Sequence, residues 1–542
     1  MDWISLLLIV VTPLKSPTSW AKAYGGSGIE HAKSIQQTSD TGYIVAGNTF
    51  YYGAGGWDIL LLKLTSGGNL AWAKTYGGIW DDIAQCVKQT LDGGYIVVGR
   101  TVSYGAGSDD FFVLKLTSDG SVGWAKTYGG GKLDEACSVQ QTLDSGYIVT
   151  GRTRSYGASV DTFDFLVLKL ASNGGVEWAK TYGGTKDDVP YSIEQTSDTG
   201  YIVAGYTYSY AIAGGNDCWV IKLASNGNVN WSKVYGLDGV DEINSIRQTL
   251  SGGYIVAGKT NSDGMGGYDC LVIKLDPTGD FDWAKAYGDT KDEIAYSIEQ
   301  TSDTGYIVAG GTNSYGGGPG DEDVLIMKLT FDGDIRWSKR FGNISNDDIA
   351  YSVEQVRDSG YIVAGCTDVT GSYDFLAIKL ESDGSILDCA PLYDCVPNVT
   401  SELGPIVMSP SPDTSLPPVS GVDCTPLTSS PIPTVTVICE GSTGVEHKLQ
   451  KCKIGETKIS PNPFTTVIRF KCSGISENQK VSLQIYDSSG RLVKTLITNP
   501  LSLATGVTWD GTNERGMACT SGTYLCVIKW DGQEEKKIIY LR

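Results

Sequence analysis

One unit of about 53 residues recurs seven times along the chain, and this repetition limits the fold more than any other feature. Trp-Ala-Lys or Trp-Ser-Lys occurs in every copy, at spacings of 52 to 54 residues. Each copy also contains Gly-Tyr-Ile-Val and an Asp followed by four mostly apolar residues and Lys-Leu. The seven tryptophans are Trp20, Trp72, Trp124, Trp178, Trp231, Trp283 and Trp337.

Each copy has the pattern of four short strands. In the third copy, the alternating segment 138–142 is followed by a turn and the apolar strand 147–151. A Gly/Tyr-rich loop then leads to the continuous apolar run 164–170, which an Asn-Gly turn connects to residues 176–182. Four strands in a unit of this length are typical of a propeller blade. The sequence therefore predicts an all-β fold with a seven-bladed β-propeller of four-stranded blades over residues 18–388.

Composition narrows the functional classes. The chain carries 42 basic and 62 acidic residues, a net charge of −20, which disfavours binding to a nucleic-acid backbone. Only His31 and His447 are present, which excludes multi-histidine metal sites and the Gly-His signature of WD40 blades. The kelch order of motifs does not fit either. The turn and strand at 118–124 resemble the tryptophan-docking hairpin of quinoprotein propellers, a resemblance limited to that hairpin.

The order of the motifs predicts how the ring closes. The first copy begins with an isolated Trp20 strand, whereas the last copy ends at Leu387 and Asp388, with Leu where the tryptophan is due. We therefore expect the Trp20 strand to complete the last blade as its outermost strand, tied to residues 352–380.

Acidic pairs precede the first strand of six copies, on the side of the blade where the recurring Asp also lies. Clustered carboxylates are the ligands that calcium prefers, so a cation site is one interpretation, although no cofactor is required. The alternative is that these carboxylates cap loop amides. The pairs are Asp81 and Asp82, Asp134 and Glu135, Asp187 and Asp188, Asp241 and Glu242, Asp292 and Glu293, and Asp347 and Asp348.

Residues that differ between copies are the candidates for ligand specificity, because residues common to all copies are expected to build the blades. Guanidinium groups and aromatic rings in neighbouring blades suit an anionic or sugar ligand, and unselected variation between loops is the alternative. The candidate ligand-binding residues, just after the second strand, are Arg100, Arg152, Arg154, Tyr206, Tyr208 and Lys259.

The remaining chain divides by composition. Residues 1–17 resemble a signal-peptide leader, with a buried N-terminal strand as the alternative, and no other stretch is suited to span a membrane. Residues 389–452 are rich in Pro, Ser and Thr, contain five of the 13 cysteines, and are expected to be a linker. Residues 453–542 have short alternating strands that predict a small β-sandwich.

The C-terminal segment from Ile459 resembles the type A sorting domain of the type IX secretion system and the Ig-like domain of flagellar hook-capping proteins. The resemblance rests on Pro-Asn-Pro-Phe at 461–464, Ile-Tyr-Asp at 485–487 with Gly-Arg following, and Trp-Asp-Gly at 509–511 with Ser-Gly-Thr-Tyr at 521–524. It implies recognition by outer-membrane secretion machinery and release or display at the surface of a Gram-negative-type bacterium. An Ig-like spacer without a sorting role is the alternative.

These features together favour a secreted or surface-displayed, non-catalytic binding or adhesion module with an extracellular glycan or protein ligand. A propeller-type glycoside hydrolase or lyase acting on extracellular polysaccharide is the alternative from another class. A structural surface-layer protein is a third. Catalysis requires asymmetry, and the copies differ little outside the variable positions.

Overall fold

The computed structural model describes residues 19–386, apart from residues 160, 237, 263–265, 315–321, 343–346 and 369–371. Beyond residue 386 it describes the strands given below and a few residues beside them. Every regular element in these residues is a β-strand. The chain forms two compact units, Met1–Gly444 and Val445–Arg542.

Seven antiparallel sheets make the first unit, one from each sequence repeat, which confirms the seven-bladed propeller. The innermost strand of each blade contacts the innermost strands of both neighbours, so these strands surround a central channel. The inner strands of blades 1 to 7 are Glu30–Gln37, Asp82–Gln89, Asp134–Gln141, Asp188–Gln195, Asp241–Gln248, Glu293–Gln300 and Asp348–Gln355.

The second and third strands of each blade are the most buried. They are continuous apolar runs because neighbouring blades cover both of their faces. The second strands are Tyr43–Thr49, Tyr95–Thr101, Tyr147–Thr153, Tyr201–Thr207, Tyr254–Thr260, Tyr306–Thr312 and Tyr361–Thr367. The third strands are Asp58–Leu64, Asp110–Leu116, Asp164–Leu170, Asp217–Leu223, Asp269–Leu275, Asp323–Leu329 and Asp374–Leu380.

The fourth strands contain the repeated tryptophan. Those of blades 1 to 6 are Leu70–Gly77, Val122–Tyr128, Val176–Gly183, Val229–Gly236, Phe281–Gly288 and Ile335–Phe341. In blade 7 the fourth strand is Trp20–Gly25, which pairs antiparallel with Asp374–Leu380. The Trp20 strand therefore completes blade 7 as predicted, but it is not the outermost strand, because Thr434–Glu440 pairs on its other side. Two short strands, Ala213–Gly214 and Asp238–Gly239, also pair in parallel between the loops of blades 4 and 5.

Residues common to all repeats join neighbouring blades. The Tyr182 hydroxyl of the fourth strand of blade 3 donates to the Gly227 carbonyl in blade 4, at 2.6 Å, and five other blades have the same bond. The last glutamine of each inner strand accepts a backbone N–H from the preceding blade, as Gln37 does from Arg357 across the closure. The structural interpretation of these repeated residues is correct.

Residues 389–452 differ from the expected linker, because seven strands of this segment add a fifth strand to every blade. They pair antiparallel with the fourth strands and visit blades 6, 5, 4, 3, 2, 1 and 7 in that order. We call these seven strands the strap. They are Leu392–Asp394, Asn398–Glu402, Ile406–Met408, Asp413–Ser415, Val422–Asp423, Leu427–Ser429 and Thr434–Glu440. Unpaired fourth strands offer free backbone groups that a segment rich in Thr and Ser is able to pair.

The second unit contains two antiparallel sheets, as the predicted sandwich requires. One sheet has the strands Thr457–Ser460, Ile468–Cys472 and Val507–Trp509. The other has Leu492–Ile497, Val481–Asp487, Gly522–Trp530 and Gln533–Leu541, in that spatial order. Trp509 is fully buried and its ring meets Tyr524 edge to face, with centroids 5.1 Å apart. Residues 1–17, expected to be a leader, lie outside the described residues.

Candidate functional site

The acidic pairs predicted from the sequence have three different roles, so they do not form one ring of cation ligands. The first carboxylate of each inner strand is buried and holds the loop after the second strand. Asp134, for example, accepts hydrogen bonds from the Thr153 and Ser155 hydroxyls and from the Gly130 amide. Asp82, Asp188, Asp241, Glu293 and Asp348 occupy the same position and are also buried.

The preceding carboxylate of four pairs caps a backbone amide of the neighbouring blade. Asp81 accepts from the Trp57 amide at 3.0 Å and Asp187 from the Phe163 amide at 2.8 Å. Asp292 and Asp347 accept in the same way from Tyr268 and Glu322. The capping interpretation explains these residues. Within the described residues, no three His, Cys, Asp or Glu side chains converge as a metal site would require.

The buried carboxylates lie next to the recurring Asp of the preceding blade. A Cβ atom on Gly77 would overlap both Asp58 and Asp82, which explains the Gly that follows Tyr76. Burial, together with Asp82, raises the pKa of Asp58 to about 6. Asp110 and Asp217 have the same environment, and burial raises the pKa of each to about 6.

Glu135 and Glu242 pair with predicted basic residues instead, and Glu135 lines a cavity at the mouth of the channel. The Arg152 guanidinium donates to the Glu135 carboxylate from Nε at 3.0 Å and from Nη2 at 2.6 Å. Arg100 pairs with Asp109 and lies 4.0 Å from Glu135. Lys259 pairs with Glu242 at 3.2 Å. The strand register explains this, because Glu135 is opposite Arg152 and Glu242 is opposite Lys259.

The aromatic members of the predicted set lie on the same arc of blades. Tyr206 and Tyr208 meet edge to face with centroids 5.9 Å apart. The guanidinium groups of Arg152 and Arg154 lie over the Phe163 ring, at 4.7 and 4.0 Å from its centroid. The structure therefore brings Arg100 and Arg152 into one cluster and extends it through Arg154, Tyr206 and Tyr208 towards Lys259.

A cavity of about 340 Å³ opens at this mouth, on the side of blades 1 to 3. Part of its lining is aromatic, because His31 and Trp57 both line it with ring centroids 5.8 Å apart, and Phe50 packs near Trp57 at 5.5 Å. Another part is the Arg100, Glu135 and Arg152 cluster. The lining residues are His31, Lys33, Asn48, Trp57, Ile83, Gln85, Arg100, Glu135 and Arg152.

A second cavity of about 500 Å³ continues into the channel and shares Lys33 and Gln85 with the first. It is lined by residues that simple alternation along the inner strands does not single out. Each inner strand has a register shift after its third residue, and the extra residue faces the channel. These seven residues, which we call the bulge layer, are Lys33, Gln85, Cys137, Tyr191, Asn244, Tyr296 and Tyr351.

Sequence reasoning missed two groups of mouth residues. The bulge layer could not be predicted without knowing the register shift in the inner strands. Trp57, Phe163 and Tyr268 precede the recurring Asp by one residue, and their variation between copies is a signal that the sequence does contain. Glu322 occupies the same position in blade 6, and burial near Asp347 and Asp292 raises its pKa to about 7.

Family comparisons match two parts of the chain. The profile described as "FlgD Ig-like domain" matches residues 465–534, which agrees with the sandwich of the second unit. The profile described as "Domain of unknown function (DUF5122) beta-propeller" matches residues 91–122, within blade 2. A search of curated proteins found no match.

Solved structures give only weak similarity. PorZ, described as an essential bacterial surface component of the type-IX secretion system of Porphyromonas gingivalis, aligns at 10% identity over 96% of this chain and 100% of its own, with a TM-score of 0.15. A GH43_12 protein from a capybara gut metagenome aligns at 10% identity over 99% of this chain and 93% of its own, with a TM-score of 0.26. Scores this low do not establish a common overall fold.

Proposed function

We propose that this protein is a secreted or surface-displayed binding module whose ligand enters the mouth of the propeller channel. The observation that carries the proposal is the break in sevenfold symmetry at this mouth. Blades 1 to 3 place aromatic side chains and an Arg-Glu-Arg cluster around a cavity of about 340 Å³. The equivalent positions of blades 6 and 7 hold Gly311 and Cys366. A propeller with only a structural role would not need different residues at these positions of its blades.

The chemistry of the mouth suits an anionic or sugar ligand. Trp57 offers a flat apolar face on which a sugar ring stacks. Arg152 is held in a fixed orientation by two hydrogen bonds to Glu135, which reduces the entropy lost when it binds a ligand. Preorganised groups of both kinds are typical of small-molecule sites.

Export supports a role outside the cell. The leader-like segment 1–17 and the C-terminal sequence that resembles a sorting domain suggest that the second unit is recognised by outer-membrane secretion machinery. The match of residues 465–534 to an Ig-like profile supports the fold of that unit. No helix among the described residues is long and apolar enough to cross a membrane.

The binding role is tested by screening the full chain against glycan and extracellular-protein arrays. Two variants alter the mouth, Trp57→Ala and Arg152→Ala, and Arg336→Ala on the exposed fourth strand of blade 6 is the matched control. We expect a ligand that the wild type and Arg336→Ala bind and that both mouth variants bind at least tenfold more weakly. Absence of any ligand, or equal binding by all four proteins, would contradict the proposal.

The export role has a separate test. Protease treatment of intact cells of a bacterium with the secretion system is expected to degrade the full chain but not a version truncated before residue 453. Equal accessibility of both versions would show that the C-terminal unit is a spacer.

A hydrolase or lyase is the second candidate, and Glu322 is the observation that favours it. Its carboxyl group is partly buried, which raises its pKa to about 7, and it occupies the space left by the missing side chain of Gly311. A carboxyl of this kind suits a general acid. Turnover of a polysaccharide that Glu322→Gln abolishes would replace the binding role, whereas a structural surface-layer protein would show neither ligand nor turnover.

A further inference from the structure

The bulge layer is a ring of seven side chains at one level of the channel. The register shift occurs at the same place in each inner strand, so each blade contributes one side chain to this level. The cavity that it lines, about 500 Å³, is of the size of a small-molecule site. None of its seven residues is a carboxylate.

Three hydrogen-bond donors of this layer lack a partner. Within the described part of the chain, neither the Lys33 ammonium nor the hydroxyls of Tyr191 and Tyr296 form a hydrogen bond or an ion pair. Lys33 lies 3.6 Å from the centroid of the Tyr351 ring, an interaction that partly replaces water. The amides of Gln85 and Asn244, in contrast, donate to Glu135 and to the Ala295 carbonyl.

The carboxylates above this layer are engaged by other groups. Glu135 accepts from Arg152 and from Gln85. Glu242 pairs with Lys259 and accepts from Asn216 at 2.9 Å. These bonds hold both carboxylates on other donors, so within the described residues Lys33 forms an ion pair with neither, although the charge of Glu135 acts on it at longer range.

The carboxylates below the layer bond to backbone. Glu194, Glu299 and Glu354 accept the amides of Gln248, Gln355 and Gln37, at 2.7, 2.6 and 3.1 Å. Each bond joins two blades, so a shift towards Lys33 would break it. Glu322 is the other carboxyl near this level, and with a pKa of about 7 it carries only part of a negative charge at neutral pH.

The protonation states favour an anion. Burial lowers the pKa of Lys33, and the charges of Cys366 and Glu135 offset only part of this effect. Burial raises the pKa of Tyr191 and of Tyr296, so both hydroxyls remain donors at physiological pH. An ammonium and two phenol groups that line one cavity match the acceptor oxygens of an oxyanion.

We infer that the bulge layer is an oxyanion subsite, in which Lys33, Tyr191 and Tyr296 hold a carboxylate of an acidic sugar or a free inorganic oxyanion. The inference rests on the proposed binding function, because the mouth cavity leads to this layer through Lys33 and Gln85. The ligand is therefore expected to be negatively charged, because a neutral or cationic ligand would leave Lys33 unpaired.

The test measures binding to the full chain by calorimetry with three probes: a galacturonate trisaccharide, its methyl ester and sodium sulfate. The variants are Lys33→Met and Tyr296→Phe, with Lys180→Met on the outer fourth strand of blade 3 as control. We expect Lys33→Met to weaken galacturonate binding about 10- to 100-fold, because it removes a charge-assisted hydrogen bond. Tyr296→Phe is expected to weaken it less, and Lys180→Met not at all.

The probes distinguish the two sources of the oxyanion. Strong binding of the acid and weak binding of the ester supports a sugar carboxylate. Binding of sulfate alone, lost in Lys33→Met, supports a free inorganic oxyanion. Three outcomes would overturn the inference. They are equal binding of the acid and its ester, equal galacturonate binding by Lys33→Met and the wild type, and no binding of any probe. A ligand from the array screen that depends on Arg152 but not on Lys33 would leave the proposed function intact.

Discussion

Trp20 lies opposite Lys379 in the sheet of blade 7, so the beginning of the propeller sequence is hydrogen-bonded to its end. The strand that carries Trp20 also pairs on its other side with Thr434–Glu440 of the strap. Trp20 and Tyr24 are fully buried. Blade 7 is therefore built from three separate parts of the chain, and its stability controls the closure of the ring.

Trp20→Ala is expected to destabilise the propeller more than the same change in another blade. The variant loses a fully buried indole, which costs about 3–5 kcal/mol, and it weakens the strand that closes the ring. Trp124→Ala is the control, since Trp124 is only partly buried and the first four strands of its blade are continuous in sequence. Thermal unfolding followed by circular dichroism measures both. A melting temperature for Trp20→Ala equal to that of Trp124→Ala would show that closure does not limit stability.

The repeats predicted the blades and their closure because their periodic signals are local. Gly-Tyr-Ile-Val, the Asp-led apolar run and the Trp strand each specify one strand. The strap was not predicted, because five of its seven strands have only two or three residues and pair through backbone groups, which leave no strong sequence signal. The same limit applied to the site: Arg152 and Lys259 were identified from variation, whereas Lys33 faces the channel because of a bulge that the sequence does not reveal.

Truncation after residue 388 is expected to cause association or aggregation of the propeller. Without the strap, every blade exposes the unpaired edge of its fourth strand, and such edges pair readily with other chains. Truncation after residue 444 retains the strap and serves as the control. Size-exclusion chromatography compares the two proteins over a range of concentrations. If both are monomeric with the same melting temperature, the strap contributes neither protection nor stability.

Ser251→Asp is expected to stabilise blade 5 by about 0.5–1 kcal/mol. In the other six blades the equivalent residue is an Asp that pairs with a nearly buried lysine, as Asp92 does with Lys115 at 2.8 Å. In blade 5 the lysine, Lys274, has no such Asp: its ammonium donates to the Leu275 carbonyl at 3.1 Å and lies 3.5 Å from both the Thr249 hydroxyl and the Asp282 carboxylate. Denaturant unfolding at pH 7 measures the gain.

Ser251→Asn is the control for that substitution, because it retains the turn chemistry without the charge. The Asp92–Lys115 ion pair also predicts that stability depends on pH. Hydrogen bonds from Lys115 and Thr90 hold the pKa of Asp92 at about 2, so the stability it contributes is present above pH 4 and is lost as the pH falls towards 2. An equal gain from Asp and Asn would mean that the ion pair adds nothing.

Asp58→Asn is expected to stabilise the propeller relative to the wild type, and to do so more at pH 8 than at pH 4. Burial raises the pKa of Asp58 to about 6, so the folded protein binds its proton more tightly than the unfolded chain does. The favourable contribution of this group is therefore complete below about pH 4 and is lost as the pH rises through 6. Asn cannot ionise, and its amide can donate to Asp82 while its carbonyl oxygen accepts the Ala54 amide that Asp58 now binds at 2.8 Å. We expect the difference in unfolding free energy between the variant and the wild type to grow by on the order of 2 kcal/mol from pH 4 to pH 8.

The comparison with the wild type is needed because His31, whose pKa burial lowers to about 4, changes total stability in the opposite direction as the pH falls. Urea unfolding at both pH values measures this difference. A difference that does not change with pH would show that burial does not raise the pKa of Asp58.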